Sequence, residues 1–270
     1  MATLPNPLPR LATDPSGRSL GLELPLGKLI DTTDEGPWHE PLLWHAEYSA
    51  SPGAWTALGA PAARAGLLPV LIDLGGSQGG PAEWELMPGE MSYPGDHDPE
   101  EILAELWEEG ADTYGETVTA PFDEEWPGTA PAATPFPIAP DTRAAETADA
   151  LLTDGTRLKD PRLALVPARR SADIPAAIGW TGPLNYEGDV ARLCAVLRSW
   201  EDRFGTRVIA LTFDTLTLSV AAPPTTEPEA EAVAAEHFAF CPDNITQGPA
   251  TLTAYAKDLT DAHTWTFWWD

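Results

Sequence analysis

Residues 188–220 read GDVARLCAVLRSWEDRFGTRVIALTFDTLTLSV and combine a helical pattern with a strand pattern. Apolar side chains of the first half recur at helical spacing as far as Phe204, and Gly205 then supplies a helix stop. The second half alternates apolar and polar side chains on either side of a break at Asp214 and Thr215, as two antiparallel strands do. The stretch predicts an α+β fold, with an antiparallel or mixed sheet flanked by amphipathic helices.

The chain upstream predicts an acidic α/β region. A short helical pattern leads there into a buried strand near Leu67 to Leu74, which the breaker run GGSQGG closes. Between Ala120 and Asp141 six prolines predict an extended connector. We therefore divide the chain into an N-terminal region (1–119), a Pro-rich connector (120–157) and a C-terminal α+β domain (158–270).

The net charge of −27 is concentrated in one third of the chain. No Lys or Arg occurs between Arg64 and Arg143, whereas seventeen Asp and Glu do. Such a segment argues against nucleic acid and anionic membranes as partners, because phosphate binding needs cationic side chains. A basic protein partner fits this charge; a merely solvated surface is the alternative.

Residues 97–106 (HDPEEILAEL) suggest a metal cluster at first sight, but their order fits the start of a helix better. Asp98 suits the N-cap, Pro99 the first helical position, and the two glutamates that follow suit the positive end of the helix dipole. Ligand spacing alone is weak evidence for a metal. We therefore predict a capped helix here, and no metal or other cofactor anywhere in the chain.

A reducing cytoplasm is the predicted compartment. The first residues lack the apolar core of a signal peptide, and no run approaches the roughly 18 apolar residues of a membrane span. The two cysteines, Cys194 and Cys241, are too few for a disulfide-stapled secreted scaffold.

The stretch EHFAFCPDNI (236–245) offers the most reactive-looking side chains. His237 and Cys241 are four residues apart on a predicted helix that begins near Thr226 with a capping box, and both fall on its inward arc. Zinc would need further ligands, for which no partner motif is present. A buried, hydrogen-bonded histidine beside a packed cysteine is the favoured interpretation, and a thiol or metal site is the alternative.

In the last residues, TWTFWWD, Trp265, Phe267 and Trp269 fall on one face of an extended chain, and Thr264, Thr266 and Trp268 fall on the other. This is strand periodicity and predicts a strand that completes the sheet. An exposed aromatic platform for a ligand is the alternative interpretation.

Several segments together resemble a known family. The segments are GWTGPLNY, LRSWEDRFGTRVIALTFDTLTLSVAAPP, AAEHFAFCPDNITQG and WTFWWD. In this order they resemble the bacterial family of domain of unknown function 4253, over roughly residues 160–270. The resemblance implies a compact α+β domain and brings no assigned activity or catalytic residue.

Two functional hypotheses follow. The first is a cytoplasmic interaction module of the immunity or inhibitor type, in which an acidic face with aromatic anchors binds a basic partner. Its partner-binding residues are Glu105, Glu108, Glu109, Asp112 and Trp107, with Trp126 as a further anchor.

The second hypothesis is a small-molecule-binding protein or hydrolase with a cleft near His237. Its candidate catalytic residues are His237, Cys241 and Asp243, and its candidate ligand-binding residues are Trp180, Asn185 and Asn244. The oligomeric state does not follow from either hypothesis.

Overall fold

The structure is a computed structural model that describes residues 5–122, 125–155 and 157–270. Residues 123, 124 and 156 of the predicted connector lie outside these ranges. The strands are β1 (Gly27–Ile30), β2 (Thr32–Thr33), β3 (Gly36–Pro37), β4 (Leu43–Ala46), β5 (Leu68–Asp73), β6 (Pro161–Val166), β7 (Arg207–Leu211), β8 (Thr215–Ser219) and β9 (Thr264–Trp268). The α-helices are α1 (Pro9–Thr13), α2 (Ala54–Arg64), α3 (Pro99–Tyr114), α4 (Glu116–Thr119), α5 (Pro140–Asp154), α6 (Ile174–Ile178), α7 (Val190–Phe204), α8 (Glu227–Phe240), α9 (Asp243–Thr246) and α10 (Leu252–Leu259). Short 3-10 helices span Arg18–Leu20, Pro88–Glu90, Pro94–Asp96 and Ser171–Asp173.

The described strands form a seven-stranded mixed sheet in the order β1-β4-β6-β5-β7-β8-β9, with β2 and β3 paired separately. Strands β5 and β7 are parallel, and the other neighbours in the large sheet are antiparallel. The α+β class with a mixed sheet, as predicted from the sequence, is confirmed.

The sheet interleaves strands from both sides of the Pro-rich connector. Strand β6 lies between β4 and β5, with Leu165 opposite Trp44 and Ala164 opposite Val70. Helix α5 lies inside the predicted connector, so this segment is not extended throughout. The predicted regions 1–119 and 158–270 therefore share one sheet rather than building one each.

Helices cover both faces of the sheet. On one face α2 and α5 bury Leu71, Leu163 and Ile209, and on the other α3, α7 and α8 cover residues such as Val70 and Val208. The alternation follows from the two-residue period of a strand. No helix in the described ranges is long and apolar enough to cross a membrane.

The local patterns quoted from the sequence occur as predicted. Helix α7 ends at Gly205, whose φ of +64° suits glycine, and β7 pairs antiparallel with β8. The side chain of Asp98 caps α3 by accepting the Glu100 N–H at 2.8 Å. The capping box of Thr226 and Glu229 starts α8. These confirmed elements position the candidate site around α8 and β9.

Candidate functional site

Helix α8 is buried along almost its whole length after the first turn. It packs against α3 and α10, and its aromatic residues contact α7 and β9. Pro242 ends it, because a residue before proline disfavours helical backbone, and Cys241 has φ −155° and ψ 83°. A helix packed on all sides has no solvent-facing arc, so its polar side chains must find hydrogen-bond partners inside the protein.

Glu236, which helical periodicity places outside the inward arc, is fully buried. Its carboxylate accepts the Trp200 indole N–H at 2.7 Å and the Ala130 backbone N–H at 2.6 Å. Both terminal nitrogens of Arg203 also donate to it, and one of them binds the Ala130 carbonyl oxygen at 2.7 Å. The ion pair therefore holds the Pro-rich connector onto α7 and α8. No local sequence signal pairs residues 203 and 236.

His237 is also fully buried, and its Nδ1 belongs to a hydrogen-bonded network with Tyr255 and Asn244. The Asn244 amide nitrogen donates to the Thr266 carbonyl oxygen at 2.7 Å and to the Tyr255 hydroxyl oxygen at 3.2 Å. The Tyr255 hydroxyl also forms a hydrogen bond with Nδ1 of His237, 3.1 Å away.

Aromatic rings surround this imidazole. The ring centroids of Trp265, Phe267 and Trp200 lie 4.6, 4.8 and 5.0 Å from that of His237. Nε2 has no hydrogen-bond partner in the described part of the chain. Burial lowers the pKa of His237 to about 3. The geometry is that of a neutral core histidine, not of a general base near pH 7.

His237 should make the protein acid-sensitive. The unfolded chain protonates the imidazole below about pH 6.5, whereas the folded chain keeps it neutral until about pH 3. The unfolded state thus binds more protons in this window, and the free energy of unfolding should fall by about 1.4 kcal/mol per pH unit as pH drops. Urea unfolding between pH 4 and 8 measures this slope.

The matched variant is His237→Asn, whose side-chain amide takes the place of Nδ1 as the hydrogen-bond partner of Tyr255 but does not titrate. Burial also lowers the pKa of His45, so the wild-type slope contains a second contribution of the same sign. The difference between the two proteins removes it. Stability curves that run parallel below pH 6.5 would show that His237 does not titrate as the structure requires.

Cys241 and Asn244 bind the outer edge of β9. The Asn244 side-chain amide accepts the Trp268 N–H at 3.1 Å and donates to the Thr266 carbonyl oxygen. It thus makes the hydrogen bonds that the backbone of an adjacent strand would make. The Cys241 thiol donates to the Trp268 carbonyl oxygen at 3.1 Å. Burial raises the pKa of Cys241 to about 12. A thiol with this pKa is a poor nucleophile at neutral pH. Because Cys241 and Asn244 already bind backbone groups at the outer edge of β9, those groups cannot pair with a strand of another chain.

The remaining candidates of the cleft hypothesis also contact the end of β9. Asp243 accepts the backbone N–H of Asp270 at 3.1 Å, and Asn185 donates to the carbonyl oxygen of the same residue at 3.2 Å. Trp180 is buried, donates to the Thr212 carbonyl oxygen at 2.9 Å and packs against Trp269. The structure therefore brings all six candidate residues together, around a strand rather than around an opening.

Four of the five predicted partner-binding residues lie on the outer side of α3. Glu105, Glu108, Glu109 and Asp112 are exposed. Glu105 pairs with Arg192 at 2.5 Å. The other three form no ion pair with any residue that the structure describes.

The prediction that Trp107 contacts a partner is wrong for this structure, because its side chain is fully buried. Its ring packs edge-on against Phe238 at 5.5 Å and Trp126 at 5.7 Å. Trp126 is half-buried in the same cluster. Trp107 anchors α3 to the core, four residues along the helix from the inward Leu103.

His97 takes part in one further arrangement of reactive groups. Its Nε2 lies 2.5 Å from the Ser92 hydroxyl and 4.0 Å from the Asp189 carboxylate. In a catalytic triad the serine and the carboxylate approach opposite nitrogens of the ring, whereas here both approach the same one. Among the described residues no group of three or more His, Cys, Asp or Glu side chains is arranged to hold a metal ion.

Of the clefts on the described surface, His237 lines none of the following three. One of about 820 Å³, the Trp38 cleft, lies among Trp38, Met91, Ser92, Tyr93 and Asp96. One of about 660 Å³ separates α2 from α5, and one of about 620 Å³ lies between Tyr48 and α2.

Residues 162–270 match the family described as Domain of unknown function (DUF4253). This confirms the resemblance seen over the C-terminal segments. The match begins within β6, a strand that the N-terminal region flanks on both sides. No curated protein and no solved structure matches the chain.

Proposed function

We propose that the protein is an interaction module of the immunity or inhibitor type that binds a basic partner protein through the acidic face of α3. That face consists of Glu105, Glu108, Glu109 and Asp112. The observation that carries the proposal is that three of these carboxylates are exposed and without an ion pair in the described structure, on a helix whose other side is anchored in the core. We further propose that it acts in the cytoplasm.

The rigidity of α3 supports this proposal. Its inner side buries Leu103, Leu106 and Trp107, and the Asp98 cap fixes its first turn. Carboxylates on a fixed helix present a constant charge pattern, which steers an oppositely charged protein during association. The cleft hypothesis has less support, because the polar groups of Cys241, Asp243 and Asn244 are hydrogen-bonded to β9 or the chain beyond it.

Neutralising the acidic face should slow association with the partner. The variant carries Gln at Glu105, Glu108 and Glu109 and Asn at Asp112; its control carries amides at four exposed carboxylates near β1 and β4, namely Glu23, Asp34, Glu35 and Glu47. Immobilised wild type and both variants are exposed to lysate of the source organism at low salt. We expect retained basic proteins to be lost from the α3 variant only.

Salt provides the second readout. Raising the ionic strength to about 0.1 M shortens the Debye length to roughly 10 Å and should slow association of the recovered partner by about tenfold. Wild type that retains no basic protein, or retention insensitive to both salt and the α3 substitutions, would show that the acidic face only solvates the surface.

A further inference from the structure

The Trp38 cleft combines aromatic walls with negative charge. At about 820 Å³ it is the largest of the three clefts described above, and its walls include the side chains of Trp38, Met91 and Tyr93. Trp38 is half-buried, whereas Tyr93 is 39% exposed. Concave sites of this size with an apolar lining and a few polar groups are the usual form of small-molecule sites.

The wall formed by Tyr93 is held in place before any ligand binds. The guanidinium of Arg198 lies over the ring, 5.0 Å from its centroid, and Asp173 accepts two hydrogen bonds from that guanidinium at 2.5 and 2.9 Å. A Cβ at Gly95 would come within 2.5 Å of the ring, so glycine permits this close approach. A fixed ring keeps down the entropy lost on binding.

The cleft offers one unpaired carboxylate to a cation. Asp96 is exposed, and its carboxylate makes no hydrogen bond or ion pair with any described residue. Asp173 already neutralises Arg198. Among the residues described as lining the cleft, Arg169 is the one cation and has an interaction of its own, whereas Asp96 is the one carboxylate that Arg198 does not neutralise. The strong negative charge of the protein also raises the local concentration of cations.

We propose that the Trp38 cleft binds a small organic cation, an amine or guanidinium on a short apolar stem. The stem lies against Met91, and the charged group lies against the ring of Trp38 or the open side of the Tyr93 ring, within reach of Asp96. Aromatic faces attract cations by their quadrupole, and a carboxylate at the mouth supplies the counter-charge. This site is separate from the acidic face of α3 and does not depend on the proposed partner.

The probe is n-butylguanidinium, titrated into the full-length protein by isothermal calorimetry. A ligand of about eight heavy atoms should bind with a dissociation constant of about 0.1–1 mM. Neutral n-butanol and anionic butyrate, which share the stem, should bind at least tenfold more weakly. Trp38→Ala should weaken binding of the cation about tenfold, Trp38→Phe less, and Asp96→Asn about threefold.

Asp34→Asn is the matched control, since it removes one exposed charge that does not line the cleft, and it should leave the affinity unchanged. Thermal melts of each variant establish that it is folded. Three results would overturn the proposal: no binding of the cation, equal binding of butyrate, or binding that survives both Trp38→Ala and Asp96→Asn.

Discussion

Replacing Glu236 with Ala should lower the free energy of unfolding by about 3–5 kcal/mol, the cost of removing one partner from a buried ion pair. The substitution leaves the Arg203 guanidinium, only 14% exposed, without its carboxylate. It also removes the acceptor of the Trp200 indole N–H and of the Ala130 backbone N–H. Urea unfolding at pH 7 measures the loss.

The matched control is Glu105→Ala, which also removes a carboxylate from a pair with arginine between two helices. That carboxylate is 57% exposed, so its loss should cost less than about 1 kcal/mol. The double variant Glu236→Met with Arg203→Met should be more stable than Glu236→Ala, because no charge stays buried alone. Equal, small losses for Glu236→Ala and Glu105→Ala would contradict the buried pair.

Glu236 also illustrates where reasoning from the sequence fails. Periodicity distinguishes the two sides of a helix that packs on one core, as in α7, where apolar side chains at helical spacing as far as Phe204 are buried. Helix α8 is enclosed by other elements, so its period carries little information about exposure. The partner that makes burial of Glu236 tolerable lies 33 positions earlier, on another helix.

The wrong prediction for Trp107 has a different cause, because the sequence does contain evidence that this side chain is buried. Leu103 and Trp107 are four residues apart and therefore share one side of a helix. The acidic neighbours of Trp107 suggested a surface position, although a helix can present carboxylates on one side and an indole on the other. The exposed aromatic anchor of the interaction hypothesis is absent from this part of α3.

The candidate site could be located from the sequence but not interpreted. His237, Cys241 and Asn244 are close together, as their spacing indicates, and His237 is the hydrogen-bonded core residue that was favoured. What the spacing could not show is that Asn244 and Cys241 bind the edge of β9, more than twenty residues further along the chain. Strand order is similarly non-local, since β6 enters between β4 and β5 after a long connection.

Deleting residues 264–270 should prevent folding. Strand β9 contributes Trp265 and Phe267, which are fully buried, and Trp269 follows it with 3% exposure. Loss of each large aromatic side chain from a core costs about 3–5 kcal/mol, and the total stability of a domain is about 5–15 kcal/mol. The deletion also exposes the edge of β8, and it removes the backbone groups of β9 to which the Asn244 side chain is hydrogen-bonded.

Single substitutions distinguish the effect of losing a buried side chain from the effect of shortening the chain. Trp265→Ala and Phe267→Ala should each lower the free energy of unfolding by about 3–5 kcal/mol. Trp268→Ala is the matched control: it removes an indole of the same strand that is 36% exposed, and it should cost less than half as much because less apolar surface leaves water on folding. Soluble yield, circular dichroism and thermal melts measure all four proteins. A truncated protein that stays soluble with an unchanged melting temperature would mean that the aromatic residues of 264–270 form an exposed binding element, because no folded core tolerates the loss of three large aromatic side chains.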